Sequence, residues 1–255
     1  MTLFDAGILG LIEGITEFLP ISSTGHLILF SDLLGVPSSD FLTTFEIAIQ
    51  FGAILAVVVL YFKSFFDLEV LKRLFIAFVP TAIVGFLLYK LLKTYWLDNE
   101  MLVVAMLFFG GIALIIFELW HRGDEHAILD VKSISYKHSF LIGLCQSIAI
   151  VPGVSRSAAT IIGGLFLGIS RVAIVEFSFL LAVPTMAAAT GYDVLKNAHL
   201  FSSDQFLTLA IGFVISFIVA MAAIKFLLSY VRKHTFIPFG VYRIIVAALF
   251  LLFML

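Results

Sequence analysis

The stretch Glu13-Gly14-Ile15-Thr16-Glu17-Phe18-Leu19-Pro20-Ile21-Ser22-Ser23-Thr24-Gly25-His26 lies inside an otherwise apolar segment that runs from about Ala6 to Leu34. Proline lacks the amide donor and clashes with the preceding turn, so a helix entering this stretch should stop there. The hydroxyl residues that follow are N-cap types and suit the start of a second helix. The result is half-helix, loop, half-helix, a re-entrant hairpin. In lipid, its irregular backbone must be buried in protein or line a watery cavity. The same pattern recurs between Lys137 and Ile169, around Gln146-Ser147-Ile148-Ala149-Ile150-Val151-Pro152-Gly153-Val154-Ser155-Arg156-Ser157.

Composition makes lipid the solvent. Of the 255 residues, 62% are hydrophobic and 13% charged, against about 45–50% and about 25% in ordinary soluble domains. Six further segments are each long enough for a hydrocarbon core about 30 Å thick: Phe41 to Phe62, Leu71 to Leu92, Met101 to Trp120, Val172 to Leu195, Phe206 to Tyr230 and Phe239 to Leu255. The expected fold is therefore an all-α polytopic membrane protein of six transmembrane helices and two re-entrant hairpins, one domain over residues 1–255. No basic n-region precedes Asp5, so the N-terminus is expected to belong to the mature protein. A net charge of −2 offers no basic surface for nucleic acid, and the single cysteine, Cys145, excludes an intrachain disulfide or a cysteine metal cluster.

The hairpins match at a constant offset, Gly10 with Gly143, Glu13 with Gln146, Ser22 with Ser155 and Thr24 with Ser157, although the prolines miss register by one. This reads as an internal duplication, about 1–120 and about 137–255. Three spans separate the hairpins, and that odd number inverts the second repeat relative to the first. Lys63, Lys72, Arg73, Arg122, Lys132, Lys137, Arg232 and Lys233 fall on one side, with Arg171 beside them. The opposite side receives Lys90, Lys93 and Lys196. The richer side is read as cytoplasmic, which puts both termini outside.

Inverted repeats with broken helices suit secondary transporters, so the choice of function falls to the site residues. Glu13 and Glu17 are one helical turn apart and project from one face. In low dielectric such a pair needs a divalent cation, a shared proton or a cationic partner. Ser22, Ser23, Thr24 and His26 stand at a half-helix start, where free amides and the dipole favour anions. Arg156, flanked by Ser155 and Ser157 with Thr160 a turn later, has the fork geometry for phosphate, with a salt bridge to Glu13 or Glu17 or a snorkel to the surface as alternatives. Gln50, Glu46 and Glu176 are polar residues inside spans, able to line the same cavity or to make interhelical hydrogen bonds. Tyr192, Asp193 and Lys196 read as interfacial.

These two motifs resemble those of the undecaprenyl-pyrophosphate phosphatases, the bacitracin-resistance protein family. The resemblance extends through Thr44-Phe45-Glu46, Gln50, Pro80-Thr81 and Phe179-Leu180-Leu181-Ala182-Val183-Pro184-Thr185. It implies a bacterial plasma-membrane enzyme that removes the terminal phosphate from a C55 polyprenyl pyrophosphate and so recycles the lipid carrier of cell-wall synthesis. It also implies divalent-cation dependence (Mg²⁺ or Ca²⁺), bacitracin resistance on overproduction and a site facing outward. By position, Glu13 and Glu17 would be the acidic motif, Ser22, Ser23, Thr24 and His26 the hydroxyl-imidazole loop and Arg156 the phosphate clamp. The expected chemistry has Arg156, loop amides and a cation held by Glu13 and Glu17 spreading the phosphoryl charge. Ser23 is the expected nucleophile, with His26 or a motif glutamate as base; attack by water activated by His26 is the alternative. The expected partners are the polyprenyl pyrophosphate and membrane lipid, with a homo-oligomer also open. A transporter or flippase of a phosphorylated lipid is the non-enzyme reading.

Overall fold

The computed structural model describes residues 1–91, 96, 99–121, 127–197 and 205–254. Among these it has ten α-helices: α1 (Leu3–Thr16), α2 (Ser23–Leu33), α3 (Asp40–Leu60), α4 (Leu68–Leu91), α5 (Glu100–Trp120), α6 (Tyr136–Ser147), α7 (Arg156–Phe166), α8 (Arg171–Asn197), α9 (Phe206–Tyr230) and α10 (Ile237–Met254). Local chemistry sets several starts. A reciprocal Thr2–Asp5 capping box opens α1, and the side chains of Ser39, Asn99 and Ser135 accept amides at the starts of α3, α5 and α6.

Helices α1 and α2 form one hairpin and α6 and α7 the other, as the sequence predicts. Pro20 acts at a distance: α1 ends at Thr16, whose carbonyl would need the amide that Pro20 lacks. Likewise α6 ends at Ser147, one residue before the carbonyl that Pro152 deprives, and a 3-10 turn over Ile148–Ile150 leads into the loop. Of the six predicted spans, α3, α4, α5, α8 and α9 are long and apolar enough to cross a membrane, whereas α10 has a shorter apolar run, Ile237–Leu252.

The two halves interlock. Helix α1 packs mainly on α9 of the other half, and α6 mainly on α4. Small residues allow the approach: a Cβ on Gly10 would meet the Gly212 carbonyl at 2.6 Å, and one on Gly143 the Ala77 carbonyl at 2.0 Å. Between α5 and α10 the crossing is reciprocal, since a Cβ on Gly111 would meet the Gly240 carbonyl at 2.7 Å and one on Gly240 the Gly111 carbonyl at 2.8 Å.

One end of the bundle gathers charge. Glu69 holds Lys72 and Arg73 at 2.9 and 2.8 Å, Asp67 holds Lys132 at 2.6 Å, and Arg73 Nε donates to the Ile134 carbonyl at 2.6 Å. Nearby, Arg171 pairs with the buried Glu118, which also accepts the Phe236 amide at 3.0 Å. Breaking a fully buried pair costs about 3–5 kcal/mol; Arg171 is 23% exposed, so this pair is worth less while still tying α5, α8 and the start of α10 together. Lys93 and Arg122 lie outside the described residues.

Candidate active site

Both loops end on a strained residue. Ser22 and Ser155, the equivalent positions, have φ of 70° and 77°, the only positive values at non-glycine residues among those described. Such backbone costs about 1–3 kcal/mol and persists only where its surroundings over-determine it. Here it turns the chain so that α2 and α7 present their N-termini to one cavity of about 270 Å³, walled by Glu17, Ser22, Ser23, Thr24, Gln50, Ala149, Pro152, Gly153, Ser155, Arg156 and Met186. Helix α2 has no side-chain cap, so its first amides remain free for an anion, whereas Ser155 Oγ accepts the Ala158 amide at 3.2 Å in α7.

Glu17 is the hub. Its Oε2 accepts from Ser23 Oγ at 2.5 Å, and its Oε1 accepts from Arg156 Nη2 at 3.2 Å. Arg156 also donates to the carbonyls of Ser178 (3.0 Å) and Glu17 (3.4 Å), lies 5.8 Å from the centre of the Phe18 ring, and keeps a buried Nε–H without a partner. Of the alternatives left by the sequence, the structure forms the salt bridge to Glu17, and Arg156 also stands on the cavity wall.

Glu13 sits one turn below Glu17, fully buried, with neither carboxyl oxygen hydrogen-bonded. Its charged neighbours are Glu17, Glu46 and Arg156. A buried carboxyl without donors is costly, and such an oxygen donor set is hard, suited to Mg²⁺ or Ca²⁺. Among the described residues no three His, Cys, Asp or Glu side chains converge as a metal site. Glu13 does not line the cavity, and both Glu17 oxygens are already engaged by Ser23 and Arg156; the pair offers at most the one or two carboxylates that Mg²⁺ takes together with water and phosphate oxygens.

Besides Glu13, two expected phosphate ligands and one expected catalytic residue do not line the cavity. Ser157 and Thr160 are fully buried off the cavity wall: Ser157 Oγ donates to the Phe18 carbonyl at 2.8 Å, and Thr160 Oγ1 bonds Ser178 Oγ at 2.6 Å. Helical rotation explains this, since at 3.6 residues per turn positions two and five after Ser155 turn away from it. His26 is also buried off the wall, with Nδ1 on the Ser22 carbonyl at 2.8 Å and Nε2 on Tyr242 Oη at 2.9 Å, its ring stacked on Tyr242. The carbonyl can only accept, so Nδ1 carries the hydrogen and Nε2 accepts the tyrosine proton. Of the two expected bases, His26 or a motif glutamate, Glu17 is the one in hydrogen-bond contact with Ser23. Gln50 lines the cavity and Glu46 does not. The sequence reading missed Ser178, Met186 and Tyr242, none of which carries a local signal.

These features define the class: a polytopic membrane protein whose opposed hairpins build one anion-suited cavity around a serine–carboxylate–arginine chain. The profile described as Bacitracin resistance protein BacA matches residues 6–249, and the chain belongs to that family. It is similar to undecaprenyl-diphosphatases of Sulfurihydrogenibium sp. (54% identity, 99% of each chain), Persephonella marina (52%, 100% of each) and Aquifex aeolicus (48%, 100% of each).

Proposed function

We infer that this chain is an undecaprenyl-diphosphatase, which hydrolyses undecaprenyl diphosphate to the monophosphate and inorganic phosphate and so returns the lipid carrier to cell-wall synthesis. Full-length similarity to enzymes of that name supports the substrate. The 2.5 Å contact between Ser23 Oγ and Glu17 Oε2 carries the mechanism. Glu17 accepts the serine proton as Oγ attacks the terminal phosphorus. The anhydride P–O bond breaks, and the lipid monophosphate leaves with its electron pair. Water then attacks the phosphoserine, Glu17 returns its proton to the departing Ser23 Oγ, and the water proton leaves on the phosphate.

Arg156 has two tasks. Holding Glu17 Oε1 turns Oε2 toward Ser23, and the guanidinium on the cavity wall puts positive charge beside the phosphate. The uncapped amides of α2 supply further donors where charge develops. Ser22, Thr24 and Ser155 on the cavity wall would bind phosphate, while His26 holds the Ser22 carbonyl in place. Glu13 and Glu17 would hold a divalent cation; bound there, it would offset phosphate charge as a Lewis acid. The site lies in a multi-pass membrane protein, and we place it in the bacterial plasma membrane with the cavity open outward, because the charged end that includes Lys72, Arg73 and Lys132 suits the cytoplasmic face.

Purified protein incubated with undecaprenyl diphosphate should release inorganic phosphate, and Arg156→Ala and Glu17→Ala should abolish release. A phosphoserine at Ser23 should be trapped by acid quench. Lipid exchange between leaflets without phosphate release would replace this reading with a flippase.

A further inference from the structure

Arg243 of α10 is 0% exposed and does not line the cavity. All five of its N–H groups are used, each on a backbone carbonyl. Nε reaches Leu107 at 3.3 Å, Nη1 reaches Pro20 at 3.3 Å and Val154 at 3.0 Å, and Nη2 reaches Met106 at 2.9 Å and Gly153 at 3.0 Å. No carboxylate pairs with it among the described residues. A buried guanidinium neutralised by nothing is expensive, so what it holds should matter.

It holds both hairpins. Pro20 lies two residues before Ser22, and Val154 immediately before Ser155, while Met106 and Leu107 belong to α5. The same loops are also joined by Arg156 to Glu17 at the cavity and by Ser157 to the Phe18 carbonyl away from it. Peptides are planar and trans, with no cis bonds here, so drawing the Val154 carbonyl toward Arg243 sends the Ser155 N–H the opposite way. That amide has no protein acceptor among the described residues and belongs to a cavity-lining residue. The fold also makes room for the guanidinium: a Cβ on Gly110 would stand 2.1 Å from Nη2, and its nearest neighbours are all Arg243 atoms.

We propose that Arg243 is the positioning residue of this enzyme: its planar fork fixes the first loop, with Glu17 and Ser23, in register with the second, with Arg156 and the Ser155 amide. The proposal rests on the phosphatase reading above. Lysine keeps the charge but has three donors and no fork, so it satisfies at most three of the five carbonyls.

The test uses the full chain in detergent and measures phosphate release from undecaprenyl diphosphate per folded molecule. Arg243→Lys should lower kcat about tenfold to a hundredfold, the cost of misplacing reacting groups by about 1 Å, with KM within about threefold because the lipid contacts are untouched. Gly110→Ala, which keeps Arg243 and displaces only its head, should lower kcat in the same sense and carries the test alone should the lysine variant not fold. In an Arg243→Met background, Gly110→Ala should do nothing further. Wild-type kcat and KM in folded Arg243→Lys or Gly110→Ala, or a rise in KM at unchanged kcat, overturns positioning. A wild-type chain that releases no phosphate overturns the reaction itself.

Discussion

The two hairpins share a backbone and differ in chemistry. Ser22 and Ser155 take the same strained conformation at the same place, and each delivers a helix N-terminus to the cavity. Past that point they diverge. Glu13 in the first is buried with no hydrogen bond, while its counterpart Gln146 donates through Nε2 to Thr81 at 2.9 Å and Thr185 at 3.1 Å. Where the first loop places Ser23, the second places Arg156. The first helix start is open and the second is capped by its own serine. On the proposed mechanism, the first hairpin would supply the reacting groups and the second would hold them. The pseudo-symmetry that favours transport in a hydropathy reading here serves a single, chemically asymmetric site.

Making the halves alike should hurt most where the asymmetry is chemical. Arg156→Ser, which gives the second loop a hydroxyl in place of its guanidinium, should cost about 10³-fold or more in kcat/KM, the scale of a phosphoryl-stabilising arginine; near-normal turnover would remove Arg156 from both of its tasks. Glu13→Gln gives the first hairpin the residue of the second. We expect a loss of about ten- to a hundredfold at fixed cation, partly recovered at higher Mg²⁺ or Ca²⁺, because one of two carboxylates remains. An activation curve that does not move with cation would remove Glu13 from metal binding. Strain comes next: Ser22→Gly should unfold at a higher temperature than Ser22→Ala, the difference corresponding to about 1 kcal/mol of relieved backbone strain. Equal midpoints would mean that the loop carries no such strain.

The smallest effect lies at the charged end, far from either loop. Asp67 accepts from Lys132 and from the amides of Glu69 and Val70, which hold its carboxyl below the usual range. A lowered folded value means that its contribution is present at neutral pH and is lost as pH falls through that value. Asp67→Asn should therefore lower the thermal midpoint slightly at pH 7 and not at all in strong acid, and solvent screening keeps the change small.

Much of this was legible in the residues. Pro20 and Pro152 marked the breaks, and the constant offset paired Ser22 with Ser155, because proline chemistry and repeat spacing are local facts. The composition of the first loop pointed to Glu17 and Ser23, which the structure brings within 2.5 Å of each other. The position of the His26 ring was not legible, because its partner, Tyr242, is 216 residues away and no local rule decides between two faces of a short helix. Ser157 and Thr160 could have been set aside by counting helical positions from Ser155. Arg243 had a signal that went unread: a lone arginine in the apolar run Phe239 to Leu255, which in a membrane span marks a site by default. The pairing of α1 with α9 and of α6 with α4 was illegible, since it depends on which glycines meet which carbonyls across the whole chain.

That cross-pairing fixes when the enzyme comes into being. During synthesis the reactive hairpin enters the membrane first, yet Gly10 and Gly14 find their partner only once α9, beginning at Phe206, has been inserted. Without α9 the Gly10 and Gly14 faces lack the backbone they pack on, and without α10 the Pro20 carbonyl lacks Arg243. A chain truncated after α8 should therefore carry Glu17, Ser23 and Arg156 and release no phosphate. Assembly of the site would then be a property of both halves rather than of the one that bears the proposed nucleophile.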